Sequence, residues 1–138
     1  MRFVDTNVLL YAISTAADER RKSAVALALM DENDLALSVQ VLQEFYVQST
    51  RAEKSERISH EQAARLIESW LRFPVTEIDA ALMQAAMRTA KRFRISYWDA
   101  AIIEAARALE CETLLSEDLG HGQDYDGVRV VDPFRKRA

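Results

Sequence analysis

The sequence predicts an α/β fold with a mostly parallel central sheet, and three observations carry that prediction. Chain breakers are scarce: 3 glycines, all between positions 120 and 127, and 2 prolines leave most of the chain free to run as helix and disfavour an all-β sandwich, which needs many turn residues. Short apolar runs alternate with longer helical segments, the order expected of α/β architecture. The segments between the runs are long enough for right-handed crossovers.

Arg2-Phe3-Val4-Asp5 reads as a short strand ending on an acid, followed by a helical stretch from Thr6 to Ser14. Asp18 to Glu32 is rich in Ala, Leu and Met, all good helix formers. Leu35-Ala36-Leu37 is the second strand, and Ser38 caps a helix from Val39 to about Arg51 with Leu42, Phe45, Tyr46 and Ser49 on one side. Ser59-His60-Glu61-Gln62 is a capping-box pattern opening a helix to about Arg72, whose inner face carries Ala63, Leu66, Ile67 and Trp70. Pro74 closes it, and Val75-Thr76-Glu77-Ile78 reads as the third strand. Asp79 caps a helix bearing Leu82, Met83, Ala86, Met87, Ala90 and Phe93, and Ser96 starts another running to about Leu109. Glu112-Thr113-Leu114-Leu115-Ser116 is the fourth strand, 118–127 a glycine-containing loop, and Val128-Arg129-Val130-Val131 the fifth. The expectation is a single domain over 1–138, with 132–138 a flexible tail and Arg135-Lys136-Arg137 at its frayed end.

Composition narrows the class. With 49% hydrophobic residues, the chain has enough apolar side chains to build a core and is not a disordered tail. Cys111 is the only cysteine, so an intrachain disulfide and a cysteine zinc site are both excluded, which fits a reducing cytoplasm. A net charge of -4 argues against sequence-blind polyanion binding, but not against a nucleic-acid enzyme with clustered cations. No apolar run reaches the ~18 residues of a membrane span. Arg2 followed by Val8 to Ile13 imitates a secretory leader, but Asp5 and Asn7 interrupt the stretch that would have to be apolar.

In open parallel sheets, chemistry sits at the carboxyl ends of the strands, so acids there are the first candidates. Asp5 follows one strand and Asp118 lies two residues beyond another. A helix cap would account for the first and an exposed loop acid for the second. Asp99 sits in Ser96-Tyr97-Trp98-Asp99, which is capping-box-like, yet a helical wheel places it between Ile102 and Ile103 and beside Ala106. An acid on that shoulder is costly without a positive partner, and the residue can serve as cap and ligand together. Glu44 falls on the polar side of its helix, between Val41 and Val47, with nothing in the pattern to single it out. Two carboxylates about 4 Å apart repel by roughly 4 kcal/mol at an effective dielectric near ~20. Converging acids therefore resist ionisation unless a divalent cation reverses the balance. An all-carboxylate site suits Mg²⁺ or Mn²⁺ rather than Zn²⁺ or Cu²⁺, and such an ion suits hydrolysis of a phosphodiester.

Four segments resemble the motifs of PIN-domain ribonucleases. Asp5-Thr6-Asn7-Val8-Leu9 is similar to the family's opening motif, and Glu44 in Leu42-Gln43-Glu44-Phe45 to its second acid. Ser96-Tyr97-Trp98-Asp99-Ala100-Ala101-Ile102 is similar to the third, and Leu114-Leu115-Ser116-Glu117-Asp118-Leu119 to the fourth. The four arrive in the family's order and span nearly the whole chain. The short form resembles a VapC-type toxin of a toxin–antitoxin pair. The resemblance implies a three-layer PIN-like fold of about five short strands flanked by helices, and a Mg²⁺- or Mn²⁺-dependent endoribonuclease. It also implies a homodimer and a small VapB-like antitoxin that blocks the acidic cleft. Carried over by position, Asp5, Asp99 and Asp118 would be metal ligands, and Glu44 would complete the catalytic acids. Thr6, Asn7 and Ser116 would orient carboxylates or waters, although ordinary turn and cap duty would also account for them.

Arg88, Lys91 and Arg92 share a helical face and make a candidate RNA-phosphate strip, or else complement the helix's C-terminal dipole. Arg20-Arg21-Lys22 is a similar basic group. His121 reads as a solvated loop histidine and His60 as part of a helix cap; Trp70, Trp98, Phe45 and Tyr46 read as core, with the lining of a dimer or antitoxin groove as the alternative use. Two other functions remain open at this point. A phosphoaspartyl protein also places an Asp after an early strand, but the phosphatase pattern wants a second Asp where Asn7 stands, and a receiver wants a late-strand Lys where Glu117 and Asp118 stand. A catalytically silent PIN-like binding module is the other.

Overall fold

The computed structural model describes residues 1–136. Strands β1 (Arg2–Val4), β2 (Leu35–Ser38), β3 (Val75–Thr76), β4 (Thr113–Leu115), β5 (Asp124–Tyr125) and β6 (Val128–Val131) form one sheet in the order β3-β2-β1-β4-β6-β5. All pairings are parallel except that of β5 with β6. Phe3, Val4, Leu35, Ala36, Leu37, Leu114 and Val130 are all fully buried. Such unbroken apolar runs belong to strands covered on both faces.

Helices α1 (Thr6–Ala12), α2 (Arg20–Met30), α3 (Val39–Ser49), α4 (His60–Trp70), α5 (Ala80–Phe93) and α6 (Tyr97–Ala108) provide the cover. The chain steps outward from β1 to β2 to β3, then crosses back to β4 on the other side of β1. With right-handed crossovers, α1–α4 cover one face and α5–α6 the other. α6 packs across β2, β3, β4 and β6. Strand order therefore reverses between β1 and β4, and a crevice opens there at the carboxyl ends of the two strands.

Caps fix where most helices begin. Ser38 Oγ accepts from Val41 N (3.2 Å), Asp79 Oδ1 from Leu82 N (2.8 Å) and Ser96 Oγ from Asp99 N (3.0 Å). Ser59 and Gln62 make both halves of a capping box, as the sequence pattern predicts.

Several expectations need correction. The loop 118–127 contains a sixth strand, β5, joined to β6 by Asp126-Gly127 with φ of 53° and 96°. Two positive φ values in succession are those of a type I′ hairpin turn, and Asp-Gly is a strong sequence signal for it. The helix expected over 18–32 begins as a short 3₁₀ turn at Ala17–Glu19 and ends at Met30, and the third strand stops at Thr76. The tail expected from 132 does not begin there. Phe134 is buried in the core, stacks edge-on against Tyr11 at 4.8 Å, and its carbonyl accepts from Arg21 (2.9 Å). Arg135 and Lys136 are exposed, and Arg137 and Ala138 lie outside the described residues. Of the four aromatics expected in the core, Phe45 and Trp70 are there, ring against ring at 4.8 Å, but Tyr46 and Trp98 are exposed. His60 Nδ1 meets Tyr46 Oη at 3.0 Å, and His121 Nδ1 accepts from Asp132 N at 3.1 Å. No helix among the described residues is long and apolar enough to cross a membrane.

Candidate active site

The crevice between β1 and β4 holds a cleft of about 140 Å³ lined by Asp5, Glu44, Asp99 and Asp118, together with Thr6, Asn7, Leu10, Gln48, Trp98 and Ile102. Each acid arrives from a different element. Asp5 extends β1, its N–H donating to Leu115 O of β4 (3.0 Å). Asp118 follows β4, Glu44 comes from the middle of α3, and Asp99 from the first turn of α6. All four carboxylates proposed from the sequence thus meet at one place, and none of the lining residues is a Lys, Arg or His.

The inner pair is held on both oxygens of each carboxylate. Asp5 Oδ1 accepts from Thr6 N (2.7 Å) and Asp5 Oδ2 from Ser116 Oγ (2.7 Å). Glu44 Oε2 accepts from Thr6 Oγ1 (3.1 Å) and Glu44 Oε1 from Gln40 Nε2 (2.8 Å). Thr6 thus touches both acids, one through its backbone and one through its hydroxyl. Asn7 Nδ2 spans the gap to the outer acid, donating to Asp118 Oδ2 (3.0 Å) with Ser116 Oγ (3.3 Å) and Asp5 Oδ2 (3.5 Å) close by. Asn7 Oδ1 accepts from Glu117 N (3.3 Å), and Ser116 Oγ accepts from Asp118 N (3.1 Å), so the turn after β4 is tied to the start of α1.

The outer pair is more open. Asp118 is exposed, and Asp99 is half-buried with no hydrogen bond or ion pair to its carboxylate among the described residues. The Ser96 cap uses the backbone of Asp99 and leaves its side chain unengaged, so capping alone does not account for the carboxylate.

Burial pushes the Asp5 carboxyl up from 3.8 to about 6. The bonds from Ser116 and Thr6 hold it down, while the charges of Asp118 and Glu44 add to the rise. The cleft therefore carries negative charge without a compensating cation among its lining side chains, a state that a divalent ion relieves. Its donors are all oxygen, the chemistry of Mg²⁺ or Mn²⁺. As the side chains stand, no three of the described His, Cys, Asp or Glu residues enclose an ion. The donor set fits such an ion.

Sequence reasoning missed Gln40, which is buried and bridges Glu44 and the Trp98 carbonyl (3.2 Å). The available signal was spacing: Gln40 stands one helical turn before Glu44, where side chains meet. It also passed over Glu117, which lies outside the cleft, accepts from Tyr11 Oη (2.7 Å) and pairs with Lys22. The basic strip does not line the cleft. Arg88, Lys91 and Arg92 are exposed on α5, and Arg92 pairs with Asp126 at 2.5 Å.

Residues 2–123 match the PIN domain family. The chain belongs to the PIN domain family. Solved structures with a similar fold include FitAB bound to the IR36 DNA fragment, at 20% identity and a TM-score of 0.73 over 100% of this chain and 99% of that one. A toxin–antitoxin complex from Klebsiella pneumoniae is similar at 19% identity and a TM-score of 0.68, covering 96% and 98% of the two chains. Mycobacterium tuberculosis VapC20, a sarcin–ricin loop cleaving toxin, is similar at 18% identity and a TM-score of 0.65, covering 86% and 90%. No curated relative matches the sequence. Membership of the PIN family leaves the phosphoaspartyl alternative without support.

Proposed function

We propose that this PIN domain protein is a Mg²⁺- or Mn²⁺-dependent endoribonuclease, the toxin of a toxin–antitoxin pair held in check by a small VapB-like partner. The observation that carries this reading is the convergence of Asp5, Glu44, Asp99 and Asp118 on one cleft without a cationic side chain. Asp5, Asp99 and Asp118 would hold the ion, and Glu44 would complete the acidic wall. A bound ion of this kind activates water and steadies charge developing on a phosphate. Ser116 and the Thr6 N–H fix both oxygens of Asp5, while Gln40 and the Thr6 hydroxyl fix both of Glu44, so the inner acids are oriented before substrate arrives. Asn7 holds Asp118 beside Asp5.

The similar structures support the toxin reading by their fold, since toxin–antitoxin complexes recur among them. An apolar groove of about 510 Å³ between α3 and α4, lined by Leu42, Tyr46, Val47, Ile67, Leu71 and Val75, supports a protein partner or a second copy, the homodimer included. The single buried Cys111 is in keeping with action in the cytoplasm.

The test is cleavage of RNA by the purified protein. Cleavage is expected with Mg²⁺ or Mn²⁺ and none with excess chelator. Asp5→Asn and Asp99→Asn should each abolish it while retaining the parent's circular dichroism spectrum. If both variants cut RNA at the parental rate, the site assignment is wrong.

A further inference from the structure

The acidic cleft is small for the substrate proposed. At about 140 Å³ it has room for a few water-sized groups of about 30 Å³ each, enough for an ion, its waters and a phosphate. It falls below the roughly 300 Å³ at which pockets begin to enclose whole ligands of nucleotide size. A nucleobase attached to that phosphate therefore lies outside this cleft, either at its rim or in the adjoining hollow of about 460 Å³ beyond Asn7, Leu10 and Asp118.

The rim carries an aromatic ring that the fold does not use. Trp98 lines the cleft, is 65% exposed, and is the most exposed large apolar side chain among the described residues. Its one aromatic neighbour among the described residues is Tyr97, edge to face with centroids 5.0 Å apart, and most of the side chain is open to solvent. The backbone beneath it is anchored. Trp98 is in the first turn of α6, one residue before Asp99, and its carbonyl accepts from the buried Gln40, the same amide that holds Glu44. The Trp98 backbone, from which the indole projects, is thus tied to the acidic wall through a single side chain. Exposing a Trp forfeits the burial that normally makes it a core residue, and flat aromatic rings beside a phosphate site are how proteins hold unpaired bases.

We infer that Trp98 is a stacking platform for one unpaired base of the RNA, placed beside the scissile phosphate. The inference rests on the endoribonuclease reading and adds to it one base-holding residue. One flat ring discriminates weakly among bases, so Trp98 favours an unpaired strand over a duplex without by itself selecting a sequence.

Trp70 is buried against Phe45, so a change in the red-shifted part of the tryptophan emission reports Trp98. The Asp5→Asn protein, which should bind without cutting, is titrated with a short single-stranded RNA of mixed sequence. The same strand annealed to its complement, and an abasic strand of the same length, serve as comparisons. The single strand is expected to quench the exposed emission, the duplex to do so far less, and the abasic strand to lose most of the quenching. In the otherwise intact protein, Trp98→Ala should raise KM about 5- to 150-fold, the range of one lost base stack, with kcat changed little and Trp98→Phe in between. Unaltered emission with RNA, or an unchanged KM in Trp98→Ala, overturns the platform while leaving the nuclease reading standing. Emission that responds to dilution of the protein alone, and not to RNA, assigns Trp98 to a protein contact and equally overturns it. Quenching without cleavage under any metal condition keeps the platform and removes the nuclease.

Discussion

Asp5 is buried between two other acids, and its chemistry follows from that position. Its carboxyl is pushed up to about 6, above the 3.8 of the unfolded chain. A raised pKa means the folded state binds the proton more tightly. The stability this confers is fully present below about 3.8 and is lost as the pH rises through about 6. For the ion-free protein, the ionised form costs about 3 kcal/mol at neutral pH. Asp5→Asn should therefore be more stable than the parent near pH 7.5 in chelator, with the gap closing toward pH 4, as read by urea unfolding of both proteins. Mn²⁺ should also narrow the gap at pH 7.5, by stabilising the parent alone. A gap independent of pH would contradict this account of Asp5. Ser116→Ala removes a buried donor to the same carboxylate. It should cost roughly 1.5–3 kcal/mol at neutral pH and move the midpoint of the activity profile upward, a shift visible in initial rates across pH. Asp5 and Asp99 stood out in the sequence because strand ends and apolar helix shoulders are unusual places for acids. Glu44 did not. Its helix position is ordinary, and only contacts from Thr6, 38 residues away, and from Gln40 make it part of the wall.

Elements place these side chains, and their legibility varied with how much local chemistry each contains. The strand positions of β1, β2, β4 and β6 follow from apolar runs, and the starts of α4, α5 and α6 from caps written in Ser59, Asp79 and Ser96. The two-residue β5 has no pattern of its own. It exists because Asp126-Gly127 turns the chain back and because Arg107 donates to the carbonyls of Tyr125 (2.8 Å) and Asp126 (2.7 Å). Gly127→Ala should cost about 1–2 kcal/mol, since a Cβ at a φ of 96° is strained, and the loss should appear as a lower thermal midpoint with cleavage largely retained. α3 is held by Phe45, fully buried against Trp70. Phe45→Ala should cost about 3–5 kcal/mol and, by loosening the helix that carries Glu44, lower activity together with stability in a paired unfolding and cleavage assay. The burial of Phe134 was not legible because a lone aromatic in a basic terminal stretch looks like a tail. Tyr11, Arg21 and Lys22 give it a seat that no local pattern announces.

The whole molecule is arranged around one reversal of strand order. Moving outward from β1 in both directions leaves an unfilled crevice between β1 and β4, into which α3 and α6 each contribute an acid from opposite faces of the sheet. Separated segments of chain thereby bring like charges together at a cost that a divalent ion would offset. The net charge of -4 conceals this concentration of charge, and for the same reason overall composition says little about affinity for RNA. The most direct measurement is the anomalous scattering of Mn²⁺ in crystals of the intact protein. A peak is expected in the β1–β4 crevice, within about 2.2 Å of an Asp5 carboxylate oxygen, with Asp99 or Asp118 as a second ligand. A fully soaked crystal with no manganese there, or with the ion bound only elsewhere on the surface, would contradict the claim that these four acids form a metal centre.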